Sequence, residues 1–465
     1  MSSRRPPSDT VSRIKTGALE RRFTLARAGL LAGARFAVQS AGNLLVSGAQ
    51  REQRQRRILS EQAQYLVKEL GKLKGSVVKI GQMMALLGEH FLPDEVTAAL
   101  HTLESETTAL AWPAMEEHLR AQLGTRMDEL DIDTTPLGAA SLGQVHRARR
   151  RSDGMELALK IQYPGVADAI DSDLNAVVSL LKLTRMVPMT EDFHGWLEEV
   201  RSMLHREVDY RLELETTRHF GEVLRNDTRY RVPDVFPEYS TGNVLCTSFE
   251  RGVGVSDPAV MALPQERRNA IGKAIMDICC QEVFVWSKMQ TDPNFGNYLI
   301  RIAEKPGEQD CIVLLDFGAF RDFDESILGP GKEMIRASFY RDRARLLKAI
   351  HALRFLHKDV PDKNLNDFVE ICFMAVEVLA DPDTHPMPDY VLNERGEYLW
   401  GKSDLPDRVM AKASKAALSV HFDIPPKEFI FLARKLLGAY TFLHVINAEV
   451  RGDSILRPYL TDRTA

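Results

Sequence analysis

At 465 residues, with 44% hydrophobic and 27% charged residues, the chain is too apolar for a disordered protein and long enough to bury a proper core. That length allows two or three domain-sized units or one large bilobal fold. The net charge of −5 hides an asymmetry, since residues 1–57 carry twelve Lys/Arg against three Asp/Glu and the remainder carries −14.

This basic arm has three candidate contacts: an anionic membrane surface, nucleic acid, or the acidic body itself. A solvated arm with no partner is an equal reading. For the chain as a whole no nucleic-acid partner is expected. Ala28–Gly48, rich in Gly, Ala and Ser and interrupted by Arg35, suits an amphipathic helix on a membrane surface rather than a membrane span. The start contains Arg and Ser and few acids, as an organellar transit peptide does, and lacks the apolar stretch of a secretory signal. Five cysteines (Cys246, Cys279, Cys280, Cys311 and Cys372) form no CxxC pair, and their apolar neighbours predict buried free thiols. The expected compartment is reducing and intracellular, cytoplasmic or peripheral at the inner membrane.

From Ile58 to about Leu103 the apolar residues recur at helical spacing, broken by Pro93. Trp112–Leu123 predicts a short helix with Pro113 in its first turn. Near Thr134 the texture changes. A small-residue turn, Gly138-Ala139-Ala140-Ser141, runs toward a strand, and Leu157-Ala158-Leu159-Lys160-Ile161 alternates as a strand does. Helices are expected to about Leu224, a strand at Asn243–Phe249, and helices beyond Asp257. Asn297–Ile302 and Cys311–Leu315 interrupt them as the two strands of a hairpin. The predicted divisions are a basic arm (1–57), a helical extension (58–125), a small strand-containing lobe (126–251) and a large helical lobe (252–465). The fold class is α+β, a bilobal protein-kinase-like fold.

Phosphoryl transfer asks for carboxylates holding metal ions, a cation on the phosphates and a polar group orienting the nucleophile. Each has a candidate, in the order a kinase places them. Lys160 stands on an Ala-Leu-Lys strand, although Ala-x-Lys alone equally describes a surface lysine on an edge strand. Asp292 and Asn297 are five residues apart in Gln290-Thr291-Asp292-Pro293-Asn294-Phe295-Gly296-Asn297, the spacing of a kinase catalytic loop. An Asp-Pro turn would explain them as well. Asp316-Phe317-Gly318 follows the apolar strand Ile312–Leu315. Order, spacing and strand context agree, and they predict an ATP- and Mg²⁺-binding protein with Asp316 on the metal.

With these residues in place, the chain resembles the UbiB/AarF-type atypical kinases, closest to the ubiquinone-linked branch, over roughly residues 58–450. Lys79-Ile80-Gly81-Gln82 is similar to the family's KxGQ signature. Gly138-Ala139-Ala140-Ser141 stands where the family has an alanine-rich loop. Glu207-Val208-Asp209-Tyr210 with Glu213 looks like its ExD motif and αC glutamate, and Met289–Asn294 is typical of the ubiquinone-linked branch.

The resemblance implies that Lys160 pairs with Glu213 and the phosphates. It implies that Lys79 pairs with Glu207 and Asp209, with Gln82 beside it in a regulatory helix. Asn297 and Asp316 would hold Mg²⁺, Asp292 would stand where a catalytic base stands, and Gly138–Ser141 with Ser248 would border the nucleotide. Two departures are visible. Gly138 replaces the family's usual alanine, which bears on nucleotide selectivity, and Ser248 stands where a glutamate is frequent. No Ala-Pro-Glu follows Asp316, so the usual peptide platform is missing.

The leading expectation is a Mg²⁺- and ATP-dependent kinase or ATPase supporting ubiquinone biosynthesis. It would act on or with a lipid or quinone-precursor small molecule, alongside other ubiquinone-biosynthesis proteins. Two other functions stay open: a nucleotide-gated scaffold, and a protein kinase acting in trans.

Overall fold

The computed structural model describes residues 57, 60, 61, 63, 64, 76–87, 92–101, 109–183, 190–292, 294–305, 307–353, 360–416 and 427–461. The basic arm, Arg57 apart, and the amphipathic segment at Ala28–Gly48 lie outside the described residues. The chain divides into two compact units. One takes the described residues through Arg218 with Asp234–Phe249; the other takes His219–Pro233 and the chain from Glu250 onward. The helices before residue 126 thus share a unit with the strands that follow them.

In the first unit, α1 (Ser76–Leu87), α2 (Asp94–His101) and α3 (Trp112–Leu123) precede β1 (Leu130–Ala139), β2 (Gly143–Arg150) and β3 (Glu156–Gln162). Then come α4 (Val166–Leu183), α5 (Glu191–Glu207), α6 (Tyr210–Val223), whose last turn falls in the second unit, and β5 (Val244–Ser248); β4 (Tyr230–Arg231), between α6 and β5 in the chain, belongs to the second unit. α3 follows directly from its sequence: Pro113 suits the first turn, and Met115, Leu119 and Leu123, four apart, bury one face. It stops at Gly124, whose φ of 57° is the left-handed region that glycine adopts readily. The sheet runs β1-β2-β3-β5, antiparallel throughout. On β3, Leu157, Leu159 and Ile161 are fully buried, so period-two alternation turns Lys160 to the other face.

Gln144 on β2 fastens the approach to α3. Its Oε1 accepts from the Leu110 amide (2.8 Å), and its Nε2 donates to the Leu110 carbonyl (3.2 Å) and to His146 Nε2 (2.8 Å). His146 Nδ1 in turn donates to the Asp133 carbonyl (2.8 Å). Both side chains are buried, and each polar atom has a partner, as burial requires.

The second unit contains β6 (Val253–Gly254), α7 (Pro258–Met261), α8 (Gln265–Cys280), a π-helical turn at Gln281–Trp286, β7 (Lys288–Gln290), β8 (Tyr298–Arg301), β9 (Cys311–Leu314) and β10 (Phe320–Asp322). It continues with α9 (Glu325–Phe339), α10 (Arg343–Ala352), α11 (Asp362–Ala375), β11 (Tyr398–Leu399), α12 (Leu405–Ala416), α13 (Lys427–Val445), β12 (Glu449–Val450) and α14 (Asp453–Leu460). The expected hairpin is β8 with β9, pairing Tyr298 with Leu314 and Arg301 with Cys311 inside a β4-β9-β8-β6 sheet. α8 packs on α13, and Phe220, Phe317, Ile300, Ile312 and Leu443 share one apolar core. Along α13, Phe431, Leu432, Tyr440, Phe442 and Leu443 form a buried apolar stripe.

All five cysteines are free thiols. Burial pushes Cys279 and Cys372 up to about 12, so neither is a thiolate near neutrality. Among the described residues no helix is long and apolar enough to cross a membrane.

Candidate active site

Within the first unit, two side chains tie α1 to the helices it packs on. Ser76 Oγ donates to Asp173 on α4, both residues buried, and Lys79 Nζ pairs with Glu207 at the end of α5. Gln82, half-buried, lies three residues on from Lys79 along the same helix. Asp209 serves the next helix: its Oδ1 accepts from the Arg211 and Leu212 amides (3.2 Å each) and caps α6.

That cap fixes the position of Glu213, one turn into α6. Gln162, two residues beyond Lys160 on β3, holds the same junction: its Nε2 donates to the Val208 carbonyl (2.5 Å), and its Oε1 accepts from Asn243 Nδ2 (2.9 Å). Lys160 Nζ then lies 2.7 and 2.8 Å from the two Glu213 oxygens, and 5.0 Å from the centre of the Tyr210 ring. The Glu213 side chain is 2% exposed and that of Lys160 28%. The carboxylate is therefore desolvated but neutralised, and the lysine side chain stays partly exposed.

The Gly138–Ser141 segment closes β1 onto β2. Gly138 is a strand residue opposite Val145, beside a register shift, in an extended position that alanine also adopts. Ala139 pairs with Gln144, and Ala140 donates its amide to the Gly143 carbonyl (2.7 Å). Ala140 is exposed and Ser141 half-exposed. Gly143 is required by contact: a Cβ there would stand 2.4 Å from the Ile161 carbonyl oxygen. Ser248 ends β5, where its Oγ accepts from the Asp234 amide (2.9 Å) and its own amide donates to the Asp234 carbonyl (2.8 Å).

In the second unit Asp292, Asn297 and Asp316 come together. Asn297 Nδ2 donates to Asp292 Oδ2 (3.2 Å) and to its carbonyl (3.3 Å). The amide nitrogen is thereby engaged, which turns the Asn297 Oδ1 to other use. Asp316 Oδ1 accepts from the Gly318 amide (2.9 Å), and Leu315 donates to the Asn297 carbonyl (2.9 Å). Phe317 is buried in a stack with Phe320 (5.2 Å) and Phe220 (5.6 Å), anchoring the segment. Asn297 and Asp316 line one small crevice with Ile278, Glu282, Gln290 and Tyr298. Among the described residues there is no cluster of three or more His, Cys, Asp or Glu with metal-holding geometry; Asn297 and Asp316 would offer one amide and one carboxylate oxygen. Such hard oxygen donors, short of a full shell, suit Mg²⁺, which keeps several waters or phosphate oxygens.

Sequence reasoning missed the groups behind this site. Gln290 bridges it: its Nε2 donates to the Asp316 carbonyl (2.8 Å) and its Oε1 accepts from the Asp292 amide (3.1 Å). The Gln290 amide donates to Glu282 Oε2 (3.1 Å), and Glu282 forms a buried ion pair with Lys435. Burial pushes the Glu282 carboxyl up, opposed by the lysine beside it. The signal available was a lysine inside the apolar stripe of α13.

After Gly318 the chain forms β10, paired with β7, and enters α9 at Glu325 with Asp324 as its cap. Six residues, Ala319–Asp324, separate Gly318 from α9.

A family model described as the ABC1 atypical kinase-like domain matches residues 102–350. The chain is 30% identical over 388 residues to "Atypical kinase COQ8, mitochondrial" of Schizosaccharomyces pombe, covering 83% of this chain and 60% of that protein. It is 31% identical over 399 residues to "Atypical kinase COQ8B, mitochondrial" of Danio rerio, covering 84% and 60%. Over 411 residues it is 29% identical to "Probable serine/threonine-protein kinase abkA" of Dictyostelium discoideum, covering 85% and 70%. The chain therefore spans about 60% of the length of the first two relatives. The Rv3197–erythromycin complex from Mycobacterium tuberculosis superposes with a TM-score of 0.55 at 21% identity, over 87% of this chain and 97% of that one, a likeness of fold.

Proposed function

The chain belongs to the ABC1 atypical kinase-like family, and on that basis we propose that it binds Mg²⁺-ATP and works as an atypical kinase or ATPase supporting ubiquinone biosynthesis. The observation that carries the reading is the Asn297 amide. With its Nδ2 held by Asp292, it offers an oxygen to the crevice that Asp316 also lines. Bound Mg²⁺ would neutralise charge on the phosphate oxygens. Lys160, oriented by Glu213, would bind phosphate; Asp292 would orient the attacking hydroxyl or water and accept its proton. Gly138–Ser141 and Ser248 would border the nucleotide.

The acceptor we propose is a small-molecule or lipid intermediate, reached with ubiquinone-biosynthesis proteins and at an anionic membrane surface. The short Ala319–Asp324 run supports this over a peptide acceptor. The two COQ8 relatives carry mitochondrial names; for this chain we propose a reducing compartment with peripheral membrane association.

The test is ATP hydrolysis by the purified chain with Mg²⁺, with and without anionic liposomes and a phenolic quinone-precursor mimic. Stimulation that disappears in Asp316→Ala is the expected result. Tight nucleotide binding with no turnover in any condition would replace this reading with a nucleotide-gated scaffold.

A further inference from the structure

Lys435 and Glu282 are both buried, with side chains 6% and 3% exposed, and the proposed chemistry uses neither. Lys435 Nζ lies 2.8 Å from Glu282 Oε1 and 2.7 Å from Oε2. Burying two charges carries a desolvation penalty that an apolar pair avoids, so stability alone gives little reason for such a pair. Its neighbours supply one. Glu282 stands in the π-helical turn after α8, an irregularity frequent at functional sites. Its Oε2 accepts from the Gln290 amide (3.1 Å), and Glu282 and Gln290 line the same crevice as Asn297 and Asp316. The Gln290 side chain then touches both acidic loops, donating to the Asp316 carbonyl and accepting from the Asp292 amide.

We propose that Lys435 and Glu282 are positioning residues for the metal site: Lys435 fixes Glu282, Glu282 fixes the Gln290 backbone, and Gln290 sets the separation of Asp292 and Asp316. This rests on the reading above that Asn297 and Asp316 hold Mg²⁺. Groups one step behind metal ligands set ligand orientation, and their loss lowers metal affinity. Lys435 stands 145 positions after Gln290, which places that control on α13, far along the chain from the ligands.

The experiment measures ATP binding to the full chain by calorimetry, with Mg²⁺ and with EDTA, alongside thermal unfolding of the same samples. Lys435→Met leaves Glu282 without its counter-charge. It is expected to lower the Mg²⁺-dependent affinity about tenfold or more while metal-free affinity stays within about twofold. The double variant Glu282→Gln/Lys435→Met removes both charges and keeps an oxygen for the Gln290 amide; it is expected to recover affinity to within about threefold of the parent. A purely structural role would instead lower both affinities together, in step with the unfolding temperature.

If the parent chain shows no Mg²⁺-dependent ATP binding, the metal reading itself falls. If the parent does and folded Lys435→Met matches it, or loses affinity equally without metal, the positioning role is overturned. Should Lys435→Met fail to fold, Gln290→Met severs both loop hydrogen bonds and leaves the ion pair intact. Parent-like Mg²⁺ dependence in that variant would overturn the proposal equally.

Discussion

Lys160 and Glu213, 53 residues apart, meet through two hydrogen bonds of 2.7 and 2.8 Å, with the carboxylate buried and the lysine side chain partly exposed. The pair exists because three contacts fix the start of α6: the Asp209 cap, the Gln162–Val208 bond and the Lys160–Tyr210 contact. Glu213→Ala removes the counter-charge from a half-shielded lysine. Full burial would cost about 3–5 kcal/mol, and the exposure of Lys160 reduces that to about 1–3 kcal/mol. Urea unfolding measures this, and ATP affinity is expected to fall with it. Glu213→Gln, which keeps an acceptor, loses less of both.

Asp316→Ala is expected to abolish Mg²⁺-dependent nucleotide turnover, by about a hundredfold or more, while leaving the unfolding midpoint close to that of the parent. Asn297→Leu removes both the oxygen offered to the crevice and the grip on Asp292. It should therefore lower turnover and also raise the Mg²⁺ concentration needed for half-maximal activity. Steady-state kinetics across a Mg²⁺ titration separates the two variants.

Gly143→Ala places a methyl 2.4 Å from the Ile161 carbonyl, a backbone atom that cannot swing aside. The β2–β3 pairing must open locally, at a cost of about 1–3 kcal/mol, visible in thermal unfolding. Gly138→Ala, at an extended strand position, is expected to change stability by less than about 0.5 kcal/mol. The two glycines, five residues apart, thus answer differently to one added carbon.

His146 gives the first unit a pH dependence. Burial pushes its pKa below the ordinary 6.5, an effect partly opposed by the Asp133 carbonyl. The unfolded chain consequently takes up a proton at higher pH than the folded one. The stability due to His146 is complete above about 6.5 and declines as pH falls through the lowered folded value. Urea titrations between pH 7.5 and 5 should show a shallower decline in His146→Gln than in the parent. Gln144→Ala, which strands the Leu110 backbone and His146 Nε2, should cost about 2–4 kcal/mol at pH 7.5.

Local chemistry is what the sequence displays. Pro113 and the four-residue apolar spacing located α3 to the residue, and two apolar runs five or more residues apart located the β8–β9 hairpin. The Asp292-to-Asn297 interval was visible because one loop carries both. Asp209 was harder: a carboxylate can join an ion pair or cap a helix, and the sequence does not say which donors stand nearest. In the fold the Arg211 and Leu212 amides do. The Gln144 fastening left no local pattern, and the Glu282–Lys435 pair left only a lysine inside an apolar stripe, since the partners lie 34 and 153 residues away. Such contacts are products of tertiary packing, and no period or motif names the partner.

The stretch from Gly318 to α9 reads Ala319-Phe320-Arg321-Asp322-Phe323-Asp324, without a serine, threonine or tyrosine. Kinases that are switched on by modification carry an acceptor hydroxyl in the segment after the metal-binding aspartate and order that segment with the new charge. Here the segment already has its order, from the β7 pairing and the Phe317–Phe320 stack, and has no hydroxyl to modify. A switch by hydroxyl modification would therefore have to act outside Ala319–Asp324.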